Sequence, residues 1–286
     1  MTNNIRIVTD STADLPSWFV EENKIKVVPL HVSFPKATYL DGIELTAKDF
    51  YPMLAASGDD LPKTSTPTMD DFQQAYRQLM TETPDCQILS IHISGGLSST
   101  VRIAEAAAKA ISDKIFVFDS RNISFGTGLQ VFEAVEMIQK GLLMDIILDR
   151  LAKVAKSTET MFCLDTLEYL YKGGRIGKVT AFVGSMLSIK PIIHVKDGVY
   201  ESFDKVRSQR QAIQKMIDQG ARLLGGRTPK RLGVIHGACE EMAMTLKAKA
   251  EEAFGKAVDT FSETGAVIGT HTGPGTLGIT LCYLNE

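Results

Sequence analysis

The chain switches repeatedly from a short apolar run to a cluster of hydroxyls, carboxylates or glycines. Ile5-Arg6-Ile7-Val8 runs into Thr9-Asp10-Ser11-Thr12, Ile88 to Ile93 into the turn Ser94 to Thr100, and Ile115 to Phe118 into Asp119-Ser120. Apolar runs this short, bounded by turn residues, read as buried strands. Helical patterns separate them. Asp14 stands before Pro16 as a cap ahead of a helix-starting proline, Thr68 with Asp70 and Asp71 opens a helix through Met80, and an Ala-rich helix follows Thr100 through Ile111. Ile25 to Val32 is a further strand candidate. Strands alternating with helices build a mostly parallel sheet, and such sheets bind ligands beyond their strand C-termini, where the polar clusters fall.

From about Gly141 the pattern changes. Met144 to Lys156 predicts a helix, Thr160 to Leu164 a strand, and Leu167 to Tyr171 a short helix stopped by Gly173-Gly174. Pro191 to Val195 and Val199 to Phe203 flank Asp197-Gly198, a strong hairpin signal. Helix Arg207 to Leu224, strand Leu232 to His236, helix Glu240 to Phe254 and strand Ile279 to Leu284 complete the pattern. We expect an α/β protein of two domains: an N-terminal, mostly parallel α/β sheet domain over residues 1–150 and a C-terminal α+β domain with a mixed or antiparallel sheet over 151–286. No fixed-period repeat or low-complexity linker interrupts them.

The 31 basic and 34 acidic residues, net charge −3, give no electrostatic case for nucleic acid. Met1 to Asn4 carry no signal-peptide pattern, and no apolar run approaches the length of about 18 residues needed to span a bilayer. Cys86, Cys163, Cys239 and Cys282 lie far apart without metal-ligand spacing, which predicts core thiols in a cytoplasmic protein.

Four clusters carry candidate chemistry. Ser94-Gly95-Gly96-Leu97-Ser98-Ser99-Thr100 joins strand to helix and offers backbone N–H groups, hydroxyls and a helix N-terminus to a carboxylate or phosphate; the same residues also describe a tight turn with serine caps. Lys63-Thr64-Ser65-Thr66-Pro67-Thr68 is a second hydroxyl cluster, or a capping loop held extended by its proline. Gly269-Thr270-His271-Thr272-Gly273-Pro274-Gly275-Thr276 reads as a flexible loop presenting one histidine. Leu167 to Gly177 holds Arg175 behind a double glycine, as a phosphate or partner contact or as an exposed base after a helix C-cap. Gly273 to Gly278 fits G-x-G-x-x-G by letter, yet a β-prone segment follows where a dinucleotide fold needs a helix, and no P-loop occurs.

Together with Val8-Thr9-Asp10-Ser11-Thr12-Ala13-Asp14-Leu15, Asp119-Ser120 and Ser188-Ile189-Lys190-Pro191-Ile192, these blocks resemble, in order and spacing, the DegV family, which includes the fatty-acid-binding subunits of bacterial fatty acid kinase. The resemblance spans essentially the whole chain. It implies one long-chain fatty acid buried between two domains, its carboxylate held by Thr64, Ser65, Ser94, Gly95 and His271, with Arg175 coupling to an ATP-binding kinase subunit. Asp10 would help order the site. Gly95 stands where the family usually has a second serine, leaving only its backbone N–H, and Ser99 replaces a glycine. The implied protein takes no cofactor beyond its fatty acid, is not catalytic alone, serves phospholipid metabolism, and does not span a membrane, although a transient membrane contact is compatible with its ligand.

Candidate walls for an acyl chain are Ile91, Phe116, Phe118, Phe125, Phe162 and Ile193, which periodicity does not separate from ordinary core. Two enzymatic readings compete. A serine hydrolase would use Ser94 or Ser98 with His271 and Asp10, although G-x-S-x-G is absent. A phosphate-ligand enzyme would use the Ser94 to Thr100 turn, which lacks a basic residue before Arg102.

Overall fold

The computed structural model describes residues 4–179 and 189–284. Ser188 and the first three residues, which enter the sequence readings above, lie outside that range.

The first strand, β1 (Ile5–Asp10), is followed by a 3-10 turn at Ser11–Ala13 and α1 (Ser17–Glu22). The expected strand over 25–32 is two strands, β2 (Lys26–Val28) and β3 (His31–Phe34). Pro29 between them has no N–H to donate and ends the ladder, so the chain crosses to a different sheet. Next come β4 (Ala37–Leu40), α2 (Ala47–Ala56), β5 (Lys63–Ser65), α3 (Met69–Glu82), β6 (Gln87–His92), α4 (Thr100–Ile111) and β7 (Ile115–Asp119). Thr68 and Asp71 close a reciprocal capping box at the start of α3, as the sequence predicts. Strands β2-β1-β6-β7 form a parallel sheet, and β4-β3-β5 form a small antiparallel one that places Thr64 opposite Val32.

The chain continues through α5 (Phe125–Gln139), α6 (Met144–Lys156), β8 (Thr158–Cys163), α7 (Glu168–Lys172), β9 (Lys190–Lys196) and β10 (Val199–Val206). It ends with α8 (Gln209–Leu224), β11 (Arg231–His236), α9 (Glu240–Phe254), β12 (Thr260–Glu263), α10 (Ala266–Thr272) and β13 (Leu277–Cys282). Here the sheet is mixed, in the order β10-β9-β8-β13-β11-β12, with only β11 and β12 parallel. The hairpin at Asp197-Gly198 is present. No helix among the described residues is long and apolar enough to cross a membrane.

One helix joins the two large sheets. Nearly every position of α5 is buried, and it packs on β1 and β6 on one side and on β8, β11 and β13 on the other. A helix covered all round carries no amphipathic period, so it is silent in the sequence pattern. Its Glu133, with a side chain only 2% exposed, pairs with Arg231 at 2.7 Å and Lys230 at 2.7 Å on the mixed-sheet side, and Glu136 also reaches Arg231. Replacing Arg231 with Met leaves a buried carboxylate short of its partner, which we expect to cost about 3 kcal/mol in urea unfolding. Adding Glu133→Gln should restore part of that loss, and an unchanged midpoint in the single variant would show the pair to be inert.

Candidate functional site

His271 does not stand in a loop. Residues 266–272 form α10, and His271 lies in its last turn. The helix is capped from far away in sequence: Asp14 Oδ1 accepts the Gly265 N–H at 2.9 Å, Asp41 Oδ1 accepts the Ala266 N–H at 2.9 Å, and Thr264 Oγ1 donates to Asp14 Oδ2 at 2.8 Å. The Ser124 hydroxyl donates to the same Asp14 oxygen. These tertiary caps satisfy N–H groups that no local side chain reaches, so local sequence alone describes a loop.

Facing α10 across the site is β5. Thr64 Oγ1 and His271 Nε2 are 2.7 Å apart, 207 residues apart in sequence. Arg175, beyond α7, donates from Nη1 to the Gly173 carbonyl at 2.8 Å. The two glycines before it serve different needs. Gly174 has φ +70°, and a Cβ on Gly173 would sit 2.3 Å from His271 Nδ1, so a side chain there would push the imidazole away. Burial, reinforced by the charge on Arg175, drives the His271 pKa down to about 3, so its ring is neutral at physiological pH.

Two cavities meet at this point and share Thr64, His271 and Arg175. The inner one, about 40 Å³, is lined by Ile93, Leu97, Ser98 and Ile123 from the parallel-sheet side and by Tyr200 and Ile268 from across it. That volume holds about three water molecules, so a long apolar ligand must part these side chains to enter. The outer one, about 440 Å³, is polar, with Asp59, Asp60, Lys63 and Lys172 on its walls.

The structure brings Thr64, Ser65, Arg175 and His271 to one cavity wall and does not bring Ser94 and Gly95 there. Ser94 donates instead to the Gly198 carbonyl at 2.6 Å, and its N–H to the Asn122 carbonyl. Gly198 has φ +80°, and a Cβ would lie 2.5 Å from Ser94 Oγ, so the D-G turn of the hairpin locks against the Ser94 turn. The Gly95 N–H goes to the Asp119 carboxylate. Ser98, which the sequence offered as a hydroxyl donor of the turn and as an alternative nucleophile, is the serine of that turn on the cavity wall; its hydroxyl also accepts the Thr100 N–H at the start of α4.

Of the candidate acyl-chain walls, Ile91, Phe116, Phe118 and Phe125 belong to the core between the parallel sheet and α5, whereas Phe162 and Ile193 join the apolar cluster that includes Ile93, Ile123, Tyr200 and Ile268. Asp10 pairs with His92 at 2.9 Å, and His92 with Ser90 at 2.6 Å, all fully buried. Asp10 also accepts the Ile93 N–H at 3.1 Å, which positions the strand end feeding the inner cavity. Ser90, His92 and Asp10 share the connectivity of a hydrolytic triad, but all three are fully buried and Ser90 also bonds to the buried Tyr76 hydroxyl at 2.9 Å, so no substrate reaches them. Of the residues the hydrolase reading named, Asp10 is committed to His92, Ser94 to the Gly198 carbonyl and His271 to Thr64.

Fold and site together define an α/β protein of two large sheets and one small one, with the Thr64–His271 polar pair between a narrow apolar pocket and a wider polar one. A family model described as an uncharacterised protein, DegV family, matches residues 4–284. A DegV domain-containing protein of Staphylococcus aureus is 34% identical over 279 residues, covering 98% of each chain. Among solved structures, a DegV family protein from Thermus thermophilus, described by its fatty acid binding, superimposes with a TM-score of 0.91 at 34% identity over 98% of this chain and 100% of that one. DegV from Bacillus subtilis, described as a fatty acid binding protein, superimposes with a TM-score of 0.89 at 34% identity, over 98% and 99%. The chain belongs to the DegV family.

The caps on α10 make a measurable prediction. Burial, the largest cause, raises Asp14 from 3.8 to about 6 and Asp41 likewise to about 6, against hydrogen bonds that pull the other way. Folded, both bind protons more tightly than unfolded, so their contribution is fully present below pH 3.8 and is lost as pH rises through about 6. Unfolding free energy from these groups should therefore fall from about pH 4 to about pH 6 and level off above it. Asp41→Asn, neutral throughout, should flatten that slope. A slope identical to that of the parent chain would remove Asp41 from the account.

Proposed function

We propose that this chain is a fatty-acid carrier that holds the carboxylate at Thr64 and His271 and presents it to an ATP-binding kinase subunit for acyl phosphate formation. The observation that carries the reading is the shared wall: Thr64, His271 and Arg175 border both the narrow apolar pocket and the wide polar antechamber. A ligand held there has its tail in the protein and its carboxylate reachable from outside. Relatives described as fatty acid binding at 34% identity support the ligand class.

The energetics suit a long chain. Burial gives about 0.8 kcal/mol per CH₂, so a long tail contributes on the order of 10 kcal/mol before the costs of ordering it and of parting the pocket. At the head, His271 Nε2–H donating to Thr64 Oγ1 would turn the threonine hydroxyl outward as a donor to the carboxylate, without a buried counter-charge. Arg175 stands toward the antechamber, where a transferring phosphoryl group would approach, and would steady its charge. In this scheme the kinase supplies ATP, and this chain supplies the bound acyl group.

Native and denaturing mass spectrometry of the purified protein, with solvent extraction, should find or load one fatty acid per chain. Thr64→Val and His271→Ala should each weaken that binding about tenfold or more, the worth of a hydrogen bond to a charged group. Arg175→Gln should keep the fatty acid and lose acyl phosphate formation when kinase and ATP are added. Protein that is clean on purification and refuses added fatty acids would overturn the reading.

A further inference from the structure

A separate cleft of about 370 Å³ opens between the mixed sheet and the segment after β7, and shares no wall residue with the two cavities at Thr64. Four cationic side chains converge on it from separate elements: Arg121 after β7, Lys156 at the end of α6, Lys196 at the end of β9 and Arg222 from α8. Two carboxylates face them, and both are already engaged. Glu159 takes His194 at 3.0 Å, and Asp197 takes Arg121 at 3.2 Å. Among the described residues, no carboxylate lies within ion-pair distance of Lys156, Lys196 or Arg222, in a chain whose net charge is −3.

Gathering three unpaired cations around one cleft costs repulsion unless an anion completes it. One of the three is already oriented. The buried Gln219 accepts from both Nε and Nη2 of Arg222 through a single oxygen, at 2.9 Å for Nε. This fixes the plane of the guanidinium and leaves its remaining N–H groups to a ligand. The cleft's volume lies within the range of small-molecule sites, about 300–1,000 Å³. A planar carboxylate would satisfy one or two of these cations; a tetrahedral phosphoryl group presents its oxygens in several directions and can engage all three.

We propose that this cleft binds a phosphoryl-bearing anion, either a water-soluble phosphate monoester or the phosphate of a lipid headgroup, through Lys156, Lys196 and Arg222. The site is independent of the fatty-acid reading and stands or falls separately. Calorimetric titration with glycerol 3-phosphate at low salt should show binding to the whole protein, weakened about tenfold or more in a Lys196→Ala/Arg222→Ala variant, since each loses a charge-assisted contact. Both side chains are exposed, but Gln219 loses its Arg222 donors, so the variant should stay folded with a modestly lower unfolding temperature, and Lys196→Ala alone, which breaks no such contact, should unfold at the parent temperature and still weaken binding. Arg175→Gln should bind the phosphate ester as the parent does.

Co-sedimentation with phosphatidylglycerol vesicles, against phosphatidylcholine vesicles as control, separates the two sources. Retention by phosphatidylglycerol that the double variant loses and glycerol 3-phosphate does not displace assigns the site to a headgroup. Binding of the soluble ester without vesicle retention assigns it to a free metabolite. The proposal is overturned if neither probe binds, if the double variant binds both as the parent does, or if Arg175→Gln alone abolishes binding.

Discussion

The site depends on two carboxylates that have no cation partner among the described residues. Asp14 and Asp41 hold the first amides of α10, and α10 carries His271 at its other end. A helix so short is marginal on its own, because each terminus leaves backbone groups without partners. Here Asp14 and Asp41, from the N-terminal third of the chain, supply what the segment around residue 265 lacks. Their burial is costly, which is why both pKa values are raised to about 6, and the return is a fixed position for the imidazole opposite Thr64. The helix end, the strand carrying Thr64 and the turn carrying Arg175 come from three distant parts of the sequence, so none of them can be placed by local preference.

Elements with a one-sided environment were legible in the sequence. The helices over 144–156 and 240–254 follow their predicted limits, the hairpin folds at Asp197-Gly198, and the parallel strands end on the polar clusters that mark them. Elements whose environment is tertiary were not. Helix α5 is buried on nearly every face, polar residues included, with Gly126 and Gly128 near its start, so neither period nor propensity announces it. Helix α10 owes its caps to Asp14 and Asp41, and the break at Pro29 moves the chain between sheets in the middle of one apparent strand.

The same division runs through the site. Thr64 and His271 were marked as hydroxyl and imidazole in glycine- and proline-rich surroundings, and the fold makes them neighbours. Ser94 was marked on equal grounds, yet its hydroxyl is absorbed by the Gly198 carbonyl and serves the contact between the Ser94 turn and the hairpin. Serine in a strand-to-helix turn has two uses, binding or bracing, and the distinction lies in what stands opposite. The departure at Gly95 is consistent with bracing: a Cβ there would meet Asp119 Oδ2 at 3.0 Å, and the backbone N–H is already given to that carboxylate. Asp41 offered no signal at all, because its role appears only once the end of the chain folds back onto it.

Arg175 and His271 together set the polarity of the site. A carboxylate clasped by a guanidinium is a poor nucleophile, because its charge is already neutralised by a bidentate partner. At Thr64 and His271 the polar partners are neutral, and the imidazole stays neutral partly because Arg175 is close enough to discourage its protonation. The guanidinium meanwhile donates to the Gly173 carbonyl and borders the wide antechamber. In the proposed reaction the acyl carboxylate would thus keep its charge for attack, while the positive charge waits on the side from which the phosphoryl group comes. Gly173 permits this division: only a residue without a side chain lets the turn holding Arg175 close against His271 Nδ1. Gly173 therefore lets a cation come near enough to tune the imidazole without displacing it.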